Sequence, residues 1–90
     1  MAFPGRTGKV KRLWPTKEAT YIQLDIDRDT APTDENFTLD FNHPNYHALY
    51  SLALAAAANR WPLTIRVTGA KDQIISPANP EKVEYMFVDW

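Results

Sequence analysis

The apolar residues of this chain change their spacing twice, and that change limits the folds open to it. From Thr20 to Asp27, Ile22, Leu24 and Ile26 alternate with Tyr21, Gln23, Asp25 and Asp27. From Asn36 to Phe41, Phe37, Leu39 and Phe41 alternate with Asn36, Thr38 and Asp40. A period of two places each apolar set on one face of a strand. The alternation stops at Asn42-His43-Pro44 and resumes only with Leu63, Ile65 and Val67. The segment between has the composition of a helix over about 44–59. Pro44 suits a first helical position, with Asn42 or His43 near the cap. The helix must stop before Trp61-Pro62, because a residue preceding proline avoids helical dihedrals.

Two further strands flank this frame. Strand character runs from Lys9 to Trp14, where Val10 and Leu13 are out of phase and predict a bulge near Lys11-Arg12. Residues 1–7 read as a loose N-terminal segment, and Pro15-Thr16-Lys17-Glu18 as a hairpin connection. Asp, Thr and Pro make Arg28 to Glu35 a loop. Gly69 to Pro80 reads mostly as loop, with a short strand at Ile74-Ile75. The fifth strand, Lys82 to Trp90, turns apolar on both faces after Glu84, the pattern of a strand covered on both sides. The order is β-β-β-α-β-β over one domain, residues 1–90. Strands with one apolar face each must roll up to share a core. The expected fold is mainly β with one helix, a small five-stranded barrel of OB-like order. An SH3-like barrel is the alternative.

A 90-residue chain buries only about 60–65% of the surface it exposes unfolded, so its stability is marginal without reinforcement. There is no cysteine, which removes disulfides and thiolate zinc sites. A partner subunit is another usual reinforcement. Segment 44–59 points the same way, since it carries no charged side chain. A helix that is apolar all round belongs inside something. Tyr46, Leu49, Tyr50, Ala53, Leu54 and Ala57 are therefore the expected contact between copies; an Ala-rich helix whose exposed side is merely neutral is the alternative. Met1-Ala2-Phe3-Pro4-Gly5 lacks the basic start and apolar run of a secretory signal, and no stretch approaches the roughly 18 apolar residues of a membrane span. These observations predict a cytoplasmic protein with no membrane partner.

The net charge of −1 is unevenly spread. Arg6, Lys9, Lys11, Arg12 and Lys17 precede the first acid, and seven acids then face one base between Glu18 and Asn42. Lys9, Lys11, Arg12, Trp14 and Tyr21 supply the cations and rings that single-stranded nucleic acid requires. Asp25, Asp27 and Asp40 stand where phosphates would lie, and neutralising phosphate is the main source of such affinity. Nucleic acid is thus the alternative reading.

Enzymatic patterns are weak. Asp40, His43 and His47 have a loose metal spacing, but Pro44 separates the two histidines. Asp25 to Asp29 opens like a calcium loop, yet Thr30 occupies the glycine position and Asn36 the closing glutamate position. His47 and Ser51 would sit mid-helix with no oxyanion donors in view. Gly5, Gly8 and Gly69 form no phosphate-binding fingerprint. Asn36-Phe37-Thr38 matches a glycosylation acceptor that needs a secretion route. No catalytic residue, metal or cofactor is expected.

Phe37-x-Leu39-x-Phe41 into helix 44–59, then Leu63-x-Ile65-x-Val67 and an apolar last strand, resembles the plan of the OB-fold B subunits of AB5 toxins. The likeness is one of element order over about residues 8–90. It implies ring-like assembly with grouped helices, and loops or outer strand faces that bind glycans. The chain is therefore read as a non-enzymatic, self-associating small-barrel module with a structural or ligand-binding role, glycan being one ligand class. An OB-type single-stranded nucleic-acid-binding protein is the alternative.

Overall fold

The computed structural model describes residues 5–26, 34–67 and 81–88. Five strands and one helix follow in the expected order: β1 (Gly5–Pro15), β2 (Ala19–Ile26), β3 (Asp34–Asp40), α1 (Tyr46–Asn59), β4 (Pro62–Val67) and β5 (Glu81–Phe87). The strands close into a barrel, β1-β2-β3-β5-β4, of the small OB/SH3-like kind. All neighbours are antiparallel except β3 and β5, which run parallel through Phe37 opposite Glu81 and Thr38 opposite Lys82. The expected loop over 28–35 is shorter than its composition suggests, because Asp34 and Glu35 pair with Asp25 and Leu24 and so begin β3; residues 28–33, the loop and short strand at 69–80, and the last two residues lie outside the described residues.

Strand phase sets what faces the core. Ile22, Leu24 and Ile26 point inward from β2, Phe37 and Leu39 from β3, and Leu63, Ile65 and Val67 from β4, all buried. The bulge at Lys11 exists: Val10 opposes Leu24 but Arg12 opposes Gln23, so the extra residue returns Leu13 to the inner face opposite Ile22. Strand β1 begins earlier than the sequence suggests. Gly8 lies in it, opposite Ile26, where a Cβ would stand 2.3 Å from the Asp25 carbonyl oxygen. It is a site of close strand approach, and residues 5–7, expected in a loose segment, are strand paired with Arg66, Ile65 and Thr64 of β4.

The helix also begins later, at Tyr46, with Asn45 as cap and no capping hydrogen bond from the Asn45 side chain. The reason lies in two tight turns that use up residues 40–45. His43 N–H donates to Asp40 O and Tyr46 N–H to His43 O, each at 3.0 Å, before the first helical bond from Leu49 N–H to Asn45 O. Its end is as expected. Arg60 takes a left-handed conformation (φ 59°), and its N–H and that of Trp61 both turn back to Ala56 O. Pro62 then starts β4.

Helix α1 packs against β1, β3, β4 and β5. Leu49, Ala53 and Ala56 enter the core cluster beside Val10, Val83 and Met86, with Tyr46, Tyr50, Leu52 and Ala57 at its margin. His47, Ala48, Ser51, Leu54 and Ala58 face outward.

Candidate ligand-binding face

The outer face of the β1–β2–β3 sheet gathers the aromatic and basic residues that the sequence singles out. Pairing fixes this arrangement, since residues opposite one another in adjacent strands share a face. Trp14 opposes Tyr21, Tyr21 opposes Thr38, and Thr38 opposes Lys82, forming one row across four strands. Arg12 opposes Gln23, which opposes Asn36, forming a second. Lys9 opposes Asp25, which opposes Asp34, forming a third.

The half-buried Trp14 and Tyr21 rings stack at 5.6 Å between centroids. The Arg12 guanidinium lies 5.7 Å from the Trp14 ring centroid, within range of a cation–π contact. Beside them, Gln23 Nε2 donates to Asn36 Oδ1 at 3.2 Å. Asn36 is only 2% exposed although it sits on the outer face, so it is not a displayed glycosylation acceptor. Among the described residues its Nδ2 has no hydrogen-bond partner.

The cations of this face are largely answered by acids. Lys11, the bulged residue, holds Asp34 at 3.0 Å, and Lys82 holds Asp40 at 3.5 Å. Lys9 stands across from Asp25. Each exposed pair contributes only about 0–1 kcal/mol, yet together they leave little net charge for an anion to meet. Sequence reasoning gave the five residues, and the structure brings all of them onto this face. It missed Gln23 and Asn36 as neighbours, although their alternation with Ile22, Leu24 and Phe37 carried the signal.

Other sequence candidates resolve into structural roles. Asp40 Oδ1 accepts from Asn42 N–H at 2.9 Å. That backbone bond, with help from Lys82, holds its carboxyl below the usual carboxylate range. His43 Nδ1 accepts from Asn45 N–H at 3.0 Å, so Nε2–H donates to Glu84 O at 2.7 Å and ties the β3–α1 turn to β5. Among the described residues, no His, Cys, Asp and Glu group has a metal-binding arrangement. His47 and Ser51 are exposed on the helix. Asp27 and Asp29 lie outside the described residues. Of the six residues expected to join copies, Leu49 and Ala53 are spent on the chain's own core. Tyr46, Tyr50 and Ala57 are half-buried against it, and Leu54 is 49% exposed. Tyr46 is further tied down, its hydroxyl 2.6 Å from Thr20 Oγ1. Among the described residues, no helix is long and apolar enough to cross a membrane.

The fold and this face define a small β-barrel with an aromatic and amide surface on its outer sheet. Comparison with protein-family models, with curated proteins and with solved structures finds no match.

Proposed function

We propose that the chain is a non-enzymatic binding module, a barrel of OB type that associates with copies of itself and binds an uncharged, polyhydroxylated ligand, a glycan. The OB type is supported by the connection order, with α1 between β3 and β4 and a parallel β3–β5 contact closing the barrel. In that fold the face of strands 2 and 3 takes oligonucleotides or oligosaccharides. One observation carries the choice between them: the Trp14–Tyr21 stack and the Gln23 amide, which buried Asn36 holds from below, sit among lysines that acids already answer. Rings and amides suit sugar faces and hydroxyls, whereas a phosphate backbone needs cations in excess. Of the six helix residues expected to join copies only Leu54 is exposed, so the contact proposed here is Leu54 with its exposed neighbours Ala48, Ser51 and Ala58.

Convergence of Lys9, Lys11, Arg12, Trp14 and Tyr21 on one face keeps single-stranded nucleic acid as the second reading. A glycan array probed with the full chain tests the first, and silence across it removes the glycan. Titration with labelled oligothymidylate at low and high salt tests the second. Salt-sensitive binding lost in Trp14→Ala would replace the first reading by the second.

A further inference from the structure

Gln23 on β2 and Asn36 on β3 oppose one another on the outer sheet face, and one hydrogen bond joins their amides, Gln23 Nε2–H donating to Asn36 Oδ1 at 3.2 Å. Asn36 is buried, and among the described residues its Nδ2 has no partner. A buried donor left unmade costs stability, so an apolar residue at 36 would serve the fold better. What the amide supplies is direction to Gln23. With its oxygen turned to Nε2, Asn36 commits one Gln23 N–H and leaves Oε1 and the second N–H for other partners. Among the described residues Oε1 accepts no bond, and it is not sealed from solvent. The neighbours of Gln23 offer less. Arg12, opposite it on β1, only donates, and Asp25, two residues along β2, only accepts. Tyr21, two residues back and about 6–7 Å away along the strand, carries the ring that stacks on Trp14.

We propose that Gln23 is the specificity-determining residue of this face and reads two adjacent hydroxyls of one sugar ring, one donating to Oε1 and the other accepting from Nε2–H. Asn36 is the positioning residue that holds the amide in that sense. The inference rests on the glycan reading above and narrows it to pyranosides with an unsubstituted vicinal diol. Each hydroxyl both donates and accepts. Two on neighbouring ring carbons therefore meet the amide oxygen and nitrogen together, in the manner of a two-point fork. The ring's C–H face then lies toward Tyr21. A site built to bond a hydroxyl rejects the analogue that lacks it, because the site's own polar groups are left unpaired.

Heteronuclear NMR titration of the full chain with methyl pyranosides of gluco, galacto and manno configuration, and with their monodeoxy analogues, tests the proposal. In the wild type, deleting either hydroxyl of one adjacent pair is expected to weaken binding by about 10-fold, the worth of one hydrogen bond. In Gln23→Met and in Asn36→Leu, with far-UV circular dichroism as the fold check, that penalty is expected to shrink to about 2-fold or less, the hydrogen bond being gone or undirected. The parent sugar still binds there through the rings. A wild type that binds a pyranoside, with the same penalty in Gln23→Met, overturns this inference and leaves the glycan reading standing. A wild type that binds none of these pyranosides overturns it as well, and silence of the glycan array removes the broader reading with it. Should Asn36→Leu fail to fold, Gln23→Met alone is read by the same criteria.

Discussion

Arg6 and Glu35 form an ion pair inside the barrel, with Nε to Oε1 at 2.9 Å and side chains 12% and 0% exposed. Their inward direction follows from pairing, since Arg6 opposes Ile65 and Glu35 opposes Leu24, both fully buried. Removing one partner of a buried pair costs about 3–5 kcal/mol, whereas replacing both by apolar residues is often neutral or better. Glu35→Leu should therefore be strongly destabilised in urea unfolding, and Arg6→Met/Glu35→Leu should recover most of the loss. A double variant as unstable as the single one would contradict this.

Gly8 tests how closely β1 and β2 approach. An added methyl would meet the backbone of Asp25 and Ile26, at 2.3 Å from Asp25 O and 3.2 Å from Ile26 Cα, and strand backbone cannot step aside as a side chain can. Gly8→Ala should lose about 1–3 kcal/mol, the range of overpacked cores. An unchanged denaturation midpoint would show that the strands part at no cost.

Arg60 offers a gain. Its left-handed backbone, φ 59° and ψ 33°, disfavours every residue with a Cβ and suits glycine. Its one drawn-out bond, Nη1 to Val10 O at 3.4 Å, offsets little of that. Arg60→Gly should stabilise the fold by up to about 1 kcal/mol and so raise the melting temperature. A lower melting temperature would mean that the Val10 contact outweighs the backbone strain.

Asp40 predicts an acid limb. Its carboxyl is held low chiefly by the Asn42 N–H, so the folded state binds its proton less readily than the unfolded chain does. The stability this contributes is full above the ordinary aspartate range, about pH 4, and fades as pH falls through the lowered folded value. Subtracting the acid unfolding curve of Asp40→Asn from that of the wild type should isolate this contribution. Parallel curves below about pH 4 would show that the turn does not depend on the charge.

Much of this architecture is legible in the sequence. Ile22, Leu24 and Ile26 gave β2 its buried face, the phase slip between Val10 and Leu13 gave the bulge, and Pro62 gave the helix end. The Arg6–Glu35 pair was not read, because charged residues beside a glycine and in an acidic run look like solvated surface. The signal was nonetheless present. Counting back by twos from Val10 reaches Gly8 and Arg6, and counting back from Leu39 and Phe37 reaches Glu35, so both phases point the charges inward. The helix start escaped for a different reason, since the turns at 40–45 are set by Asp40 and His43 contacts and not by periodicity. Within the candidate face, strand phase gave which residues point outward, while the neighbour relations of Trp14, Tyr21, Gln23 and Asn36 depend on register, which alternation alone does not fix.

Burial also separates two helix variants that the sequence alone would treat alike. Ala53 is fully buried in the core, so Ala53→Glu should unfold the barrel, whereas Leu54→Lys should leave it folded and act only on contacts between copies. Far-UV circular dichroism distinguishes them; a folded Ala53→Glu would contradict the packing described.

That this barrel works in company is the claim on which the account turns, and light scattering across a concentration series measures it directly. A self-associating barrel should show a molar mass at least twice 10.3 kDa at high concentration, falling on dilution. A constant 10.3 kDa throughout would contradict it.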